Sequence, residues 1–287
     1  MPEMPEVEAL RRFLADKCVG KAIERTQLVA FSALKTVSPP LDALHGLEIT
    51  GVNRYGKFLD IDAQGVHLVF HLARAGWLHW RDELPDKPVR PGKGPLALRV
   101  GLSDGSGFDL TEAGTQKHLA VHVVLDPQAI DMVATLGPDP MAEEFTADDF
   151  DSVLTEAGRA QLKGVLKDQR KLAGIGNAYS DEILHAAKLS PFHPVSSLTR
   201  PQRDELLQVV RRVLTAAVDA TEGLGAASLK DSKRSGMQVH GRTGQPCPVC
   251  GTTIAEVSFA DSSLQYCPGC QTGGKPLADR RLSRLLK

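Results

Sequence analysis

The sequence predicts an α+β multidomain protein: a β-rich N-terminal domain with a flanking helix, a helical C-terminal domain, and a small metal module closing the chain. Three observations carry this expectation. Short β-type segments recur up to residue 125, apolar stripes at helical spacing run from 146 to 220, and four of the cysteines form two C-x-x-C knuckles near the end. At 287 residues the chain is long enough for roughly two domains, each with its own core. Its 42% apolar and 24% charged residues are ordinary for a globular protein. No apolar run approaches the ~20 residues that cross a bilayer, and the acidic start with Pro2, Glu3 and Glu6 does not read as a secretory signal. A cytoplasmic protein is expected.

Pro5 stands where a helix can begin, and Val7, Leu10, Phe13 and Leu14 recur at helical spacing up to Gly20. Segments 49–55, 57–61, 66–72, 96–102 and 119–125 then read as strands, with Gly65 and the Ser-Asp-Gly-Ser-Gly run at 103–107 as hairpin turns. Strands at this spacing suggest a sandwich or a barrel. Residues 85–95, rich in Pro, Gly and Lys, read as a surface loop. Gly137-Pro138-Asp139-Pro140 is a break, so the first domain is expected over 1–137 and a linker over 138–149.

Thr146 with Asp149 resembles a capping box and opens a helical region expected over 150–236. Its first stripe is Phe150, Val153, Leu154, Leu162, Val165 and Leu166. A second helix follows Asn177 and ends before Pro191, and a third runs from about 200 to 220. Residues 223–244 are Gly-, Ser- and Lys-rich and are expected to be flexible. The metal module and a basic tail fill 237–287.

Cys247-Pro248-Val249-Cys250 and Cys267-Pro268-Gly269-Cys270 are separated by sixteen residues. Each knuckle lets one tight turn offer two thiolates from the same side, which suits tetrahedral Zn2+. With Cys247, Cys250, Cys267 and Cys270 all filled, one zinc ion would have no open position and would be structural. Residues 253–266 are long enough for a β-hairpin between the knuckles. The fifth cysteine, Cys18, reads as a small buried apolar residue.

Gly174-Ile175-Gly176-Asn177 links two helical stretches. It lacks the third glycine of a dinucleotide fingerprint, since Tyr179 stands there. It reads either as an ordinary helix–helix turn or as a turn whose amides meet a phosphate at a helix N-terminus, with Asn177 as a side-chain donor and Lys163 supplying charge. Net charge is −1, so any nucleic-acid surface must gather its positive charge locally. The tail does so with Lys275, Arg280, Arg281, Arg284 and Lys287 against Asp279. At the other terminus, loss of Met1 would expose the secondary amine of Pro2. An α-amino group titrates near pH 8, so part of it is an unprotonated nucleophile at neutral pH. Glu3 and Glu6 could serve proton transfer there, or the four residues from Pro2 to Glu6 could simply start a helix.

Together these pieces resemble the formamidopyrimidine-DNA glycosylase/endonuclease VIII family, the formamidopyrimidine (MutM-like) branch more closely. The resemblance rests on the Met1–Glu8 opening, Lys57 in Tyr55-Gly56-Lys57-Phe58-Leu59, and His71-Leu72-Ala73-Arg74-Ala75-Gly76. It continues through Leu136-Gly137-Pro138-Asp139-Pro140, the stretch from Lys163 to Asn177, and the four cysteines. It implies an N-terminal β-sandwich, a helix–two-turn–helix domain and a zinc finger, with damaged DNA bound between the domains by a monomer at the nucleoid. It also implies base flipping, excision of an oxidised base and β,δ-elimination. In that scheme Pro2 attacks C1′, Glu3 handles protons at the sugar, Glu6 supports the nucleophile's surroundings, and Lys57, Lys163 and Asn177 hold the backbone.

Three departures concern DNA recognition. Arg74 stands where the family usually has Met, which fills the gap left by the flipped base. The usual Asp-Pro-Arg-x-Phe-Gly loop aligns with Glu112-Ala113-Gly114-Thr115-Gln116-Lys117, without its arginine and aromatic wedge; Lys117 and His118 are the remaining candidates for that work. The zinc hairpin's usual arginine aligns with Ser262. Residues 229–239 also lack the usual lesion-capping aromatic. A bifunctional glycosylase/lyase acting on single-stranded or already distorted DNA is therefore expected. The alternatives are a non-catalytic damaged-DNA-binding protein of the same fold, or an RNA-processing protein using the zinc ribbon.

Overall fold

The computed structural model describes residues 1–85, 89, 94–260 and 262–278. Most of the 85–95 loop and the tail arginines Arg280, Arg281 and Arg284, with Lys287, lie outside the described residues. The chain forms two compact units, one of Met1–Leu136 with Thr221–Lys230, the other of Gly137–Ala220 with Asp231–Lys287.

The first unit opens with helix α1 (Met4–Cys18) and continues through strands β1 (Ile23–Leu28), β2 (Ile49–Tyr55), β3 (Phe58–Ala63), β4 (Val66–His71), β5 (Gly76–Arg81), β6 (Leu96–Leu102), β7 (Gly107–Glu112) and β8 (Ala120–Val124), ending in the short helix α2 (Asp131–Ala134). The strands form two four-stranded sheets, ordered β1-β6-β7-β5 and β2-β3-β4-β8, with antiparallel pairing throughout. Side chains alternate across each strand. Leu59, Ile61, Leu68, Phe70, Leu98, Val100, Phe108 and Leu110 thus meet between the sheets, joined by Val7, Leu10, Leu14 and Cys18 of α1. Each fully buried side chain of this size contributes about 1.5–3 kcal/mol. The result is a sandwich with a flanking helix.

The opposite faces of the strands carry different chemistry. Phe58, Val69 and Val124 pack under Ile130 and Val133. Asp60, fully buried, accepts from Asn53 Nδ2 at 3.2 Å and contacts His67 Nδ1 at 2.9 Å. Asp109 accepts from Arg99 Nε at 2.7 Å and Arg81 Nε at 2.8 Å. Burial raises the Asp109 pKa, but these two guanidinium groups outweigh it and hold the carboxyl below its ordinary value.

Strands β1, β5 and β7 are additional to those expected. In β1 only Ile23 is buried, so it shows no alternation. β5 and β7 pair with each other directly beyond segments read as loop and turn. Lys57, expected to start a strand, instead lies in the β2–β3 turn. The segment 223–244, expected to be flexible and placed in the helical domain up to 236, is corrected in its first part. Ala226 and Leu229 enter the sandwich core, and Trp77 Nε1 donates to the Ala226 carbonyl at 2.9 Å.

The second unit contains α3 (Ala147–Ala157), α4 (Leu162–Lys167), α5 (Asn177–Ala186) and α6 (Arg200–Asp219); α7 (Leu229–Gly236) leads toward the hairpin β9 (Ala255–Ser258) and β10 (Ser263–Tyr266), which is followed by α8 (Pro268–Gln271). The capping box at Thr146 is present: its N–H donates to Asp149 Oδ2 at 2.8 Å, and Asp149 N–H donates to Thr146 Oγ1 at 3.2 Å. The stripe from Phe150 to Leu166 is divided between two helices because the chain turns at Gly158, whose φ is +57°. Arg203 of α6 binds Asp151 and Thr155 of α3, at 2.9 and 2.8 Å. Among the described residues no helix is long and apolar enough to cross a membrane.

Candidate active site, anion cleft and metal centre

Pro2 is buried immediately before Glu3, the N-cap of α1. Glu3 and Glu6 are each only 2% exposed. The Glu3 N–H donates to Glu6 Oε2 at 2.8 Å, so the Glu6 carboxylate fixes the turn that presents Pro2 and Glu3. Both acids sit at the positive end of the helix dipole. α1 lies on β2 and β3, the strands joined by the turn that carries Lys57. Arg54 Nε of β2 donates to Glu8 Oε2 at 3.1 Å and fastens the two elements.

Lys57 is 7% exposed. Pairing of Phe58 with His71 across β3 and β4 brings it near the His71 imidazole. Burial, reinforced by the Lys57 charge, pushes His71 down to about 4, so this imidazole is neutral at physiological pH. Its Nδ1 accepts from the Ala73 N–H at 3.1 Å, placing the ring proton on Nε2. His71 belongs to the quoted His71–Gly76 stretch, but its part in setting charge beside Lys57 was missed. Only strand register brings the two together.

Arg74 is exposed in the tight turn after β4, where Ala73 has φ of +52°. Gly76 lies opposite Glu112 in the β5–β7 ladder, and Ala113 N–H donates to the Ala75 carbonyl at 3.3 Å. The Arg74 turn and the 113–118 loop are therefore neighbours. Residues 113–118 are all exposed. The buried Glu112 carboxylate anchors the loop's return, accepting from His118 N–H at 2.9 Å and Leu119 N–H at 3.0 Å. Lys117 folds back and donates to the Glu112 carbonyl.

In the second unit Lys163 is tied into the fold by its ammonium. It is 6% exposed, and its ammonium donates to the Asn177 carbonyl at 3.0 Å, Ser180 Oγ at 2.8 Å and Asp181 Oδ1 at 2.6 Å. Three donors are thus spent inside the fold. Asn177 heads α5, and its Nδ2 donates to the Ser263 carbonyl of β10 at 2.8 Å. The turn before it is held by Gln169, which accepts from Gly174 N–H at 2.9 Å and donates to the Ile175 carbonyl at 2.6 Å; Gly174 has φ of +91°.

A cleft of about 300 Å3 opens here, lined among others by Lys163, Lys167, Asn177, Phe259, Ser262 and Ser263. Among the described residues no carboxylate lines it. Lys167, at the end of α4, is exposed and makes no ion pair among the described residues. The sequence reading missed Lys167. Its position four residues after Lys163 was the available signal.

The knuckles converge as expected. Cys250 Sγ lies 3.3 Å from Cys267 Sγ, and Cys247 Sγ lies 3.9 Å from Cys270 Sγ. Ligands on a tetrahedral zinc stand about 3.6–3.8 Å apart, so the four cysteines fit one structural Zn2+. The ion would hold the β9–β10 hairpin, whose ladder from Ser263↔Ser258 to Tyr266↔Ala255 fills the interval between knuckles. Cys18 is fully buried in the sandwich core, and desolvation pushes its thiol up to about 12.

Known proteins share this order of parts. Residues 1–130 match the formamidopyrimidine-DNA glycosylase N-terminal domain, 136–228 its H2TH domain, and 244–273 the zinc finger found in FPG and IleRS. A formamidopyrimidine-DNA glycosylase of Symbiobacterium thermophilum is 34% identical over 98% of this chain and 93% of its own length. A formamidopyrimidine-DNA glycosylase-like protein of Mycobacterium tuberculosis is 56% identical over 53% of this chain and 94% of its own. The crystal structure of Lactococcus lactis formamidopyrimidine-DNA glycosylase, non-covalently bound to DNA containing an AP site, superposes with a TM-score of 0.80; it is 26% identical, covering 94% of this chain and 99% of that one. A multidomain protein with sandwich, helix–two-turn–helix and zinc finger in this order defines one class. The chain belongs to the formamidopyrimidine-DNA glycosylase family.

Proposed function

We propose that the chain is a DNA-repair enzyme, a bifunctional glycosylase and AP lyase, that excises damaged bases through the amine of Pro2. The observation that carries this reading is the head of α1: Pro2 precedes two buried carboxylates, with Glu6 tied to the Glu3 backbone at 2.8 Å. Once Met1 is removed, the Pro2 nitrogen attacks C1′ of an oxidised nucleotide and the base departs, taking a proton. A proton passed to O4′ lets the C1′–O4′ bond break, the ring-opened iminium acidifies C2′, and β- then δ-elimination expels the 3′ and 5′ phosphates. Glu3 moves the sugar's protons, Glu6 acts as a positioning residue, and Lys57 offers positive charge to the flanking backbone. A neutral His71 beside it adds no second positive charge there.

In the second unit, Lys167 and Asn177 hold a phosphate in the cleft, with Lys167 taking the part first expected of Lys163. The zinc ion supplies rigidity to the hairpin and no chemistry. The enzyme works in the cytoplasm at the nucleoid. Borohydride reduction of the protein mixed with abasic DNA should give a covalent adduct. Pro2→Gly, or a retained N-terminal extension, should weaken or abolish it. DNA binding without any adduct would instead support the non-catalytic reading.

The 113–118 loop favours one refinement. With no aromatic and no arginine there, the enzyme acts best on single-stranded or already distorted sites, where no wedge must replace a stacked base.

A further inference from the structure

Four side chains of α5 engage the zinc module, at positions 177, 181, 182 and 185. Asn177 holds Ser263, Asp181 contacts His240 and the Gln265 N–H, and Glu182 accepts the backbone N–H groups of Gln238, Val239 and His240. The last is His185. It is 5% exposed, and its Nε2 lies 3.3 Å from Cys247 Sγ. His185, Cys247, Cys267 and Cys270 offer four donor atoms that all lie within 4.8 Å of one another. Cys250, the remaining knuckle cysteine, is the exposed one.

Five donors therefore surround a centre that takes four. The His185–Cys247 separation of 3.3 Å is as short as the Cys250–Cys267 separation, and both are near the edge of a zinc tetrahedron. A buried imidazole touching one ligand is ordinarily an outer-shell donor that tunes the thiolate. Here it also faces two further thiolates, and three thiolates with one imidazole are a normal structural zinc set.

We propose that His185 is a reserve zinc ligand. With four thiolates bound, its Nε2–H rests on Cys247. When Cys250 leaves, the imidazole binds through the Nε2 lone pair and completes a three-cysteine, one-histidine site. The exchange balances: Cys250 departs as a thiolate and takes up a proton, while the imidazole gives up its Nε2 proton and takes one at Nδ1. The ion keeps its charge and coordination number. A site built this way keeps its hairpin fastened to α5 after its exposed thiol has been alkylated or oxidised.

The test uses the full chain loaded with Co2+ in place of zinc, comparing wild type, Cys250→Ala, His185→Phe and the double variant, with circular dichroism to establish folding. Cys250→Ala should retain one metal equivalent, with its d–d absorption moved to higher energy and its thiolate charge-transfer intensity reduced by roughly a quarter. His185→Phe alone should keep the four-thiolate spectrum. The double variant should bind metal at least tenfold more weakly than Cys250→Ala. Should phenylalanine disturb the fold, His185→Gln makes the same comparison. Loss of metal from Cys250→Ala, or a Cys250→Ala spectrum unchanged by the second substitution, overturns the proposal. So does a spectral shift in the single histidine variant, because His185 would then be a resident ligand.

Discussion

Lys163 and Lys167 lie one helical turn apart and both line the cleft, but Lys163 is buried against Asp181 and Lys167 is exposed. Lys163 neutralises Asp181, a carboxylate with no exposed surface. Replacing it by Met leaves that charge buried with, among the described residues, His240 Nδ1 and the Gln265 N–H facing it. Breaking a buried pair in this way costs on the order of 3–5 kcal/mol, so Lys163→Met should lower the urea midpoint clearly. Lys167→Ala should leave that midpoint within about 0.5 kcal/mol, as exposed substitutions do. It should instead weaken DNA binding and reduce the slope of log K against log salt by about one. The reverse pattern in the two variants would refute the assignment.

The same scale gives a prediction about pH. His71 titrates in the fold at about 4, below its ordinary value, through burial and then Lys57. A group with a depressed folded pKa takes its proton first in the unfolded chain. Stability from the neutral ring is therefore full above about pH 6.5 and is lost as pH falls toward 4. The contribution is on the order of 3 kcal/mol at neutral pH. Nitrogen-15 shifts should show the Nε2–H tautomer persisting at pH 5, and Lys57→Met should move the His71 midpoint upward. A ring already protonated at pH 6 would contradict this account.

Among the elements, the 168–173 segment between α4 and α5 also holds the chain at Gly137 and Pro138. Gly137 N–H donates to the Gln169 carbonyl at 2.8 Å, and Ala173 N–H donates to the Pro138 carbonyl at 3.0 Å. A Cβ on Gly137 would sit 2.6 Å from the Lys171 carbonyl carbon and 2.7 Å from the Arg170 oxygen. Backbone cannot yield there as a flexible side chain can. Gly137→Ala should therefore cost about 1–3 kcal/mol, and it should weaken DNA binding by loosening the support of the Gly174–Asn177 turn. An unchanged thermal midpoint would show that the segment relaxes freely.

Elements were legible where one face is buried and the other is wet. The α1 stripe, the Thr146 cap and the zinc hairpin all follow from periodicity or spacing. β1 was not legible, because five of its six residues are only partly buried or exposed and carry no alternation. The core contacts of Ala226 and Leu229 were hidden in a Gly- and Ser-rich stretch, since two apolar residues make no stripe. Site residues divided in the same way. The cysteines are local in sequence and could be read directly, whereas the Pro2–Glu6 cluster also read as a plain helix start and took its expected role from the family resemblance. For Lys163 nothing local reveals that Asp181, eighteen residues on, pairs with it inside the fold.

For the whole molecule, the two units divide the work. In the proposed function the first holds the nucleophile and its carboxylates, and the second gathers anion-binding groups on a chain whose net charge is only −1. With so little general attraction for DNA, binding should depend on local cations, Lys167 among them in the proposed function, and it should fall steeply with salt. Extruding a base from an intact duplex costs a few kcal/mol, which a wedge normally helps to offset. The 113–118 loop offers only Ala, Gly, Thr, Gln, Lys and His for that purpose, and Ser262 adds no charge at the hairpin. If the missing wedge leaves even about 1.4 kcal/mol of that cost uncompensated, turnover on duplex falls about tenfold. Single-turnover rates on 8-oxoguanine should therefore be at least tenfold higher in a single strand than opposite cytosine in duplex. A mismatch or bubble at the lesion should restore most of the difference, because it removes the stacking and pairing that the loop cannot replace. Equal rates on single strand and duplex would show that another residue fills the gap, and Arg74, exposed in the turn beside this loop, would be the first to substitute.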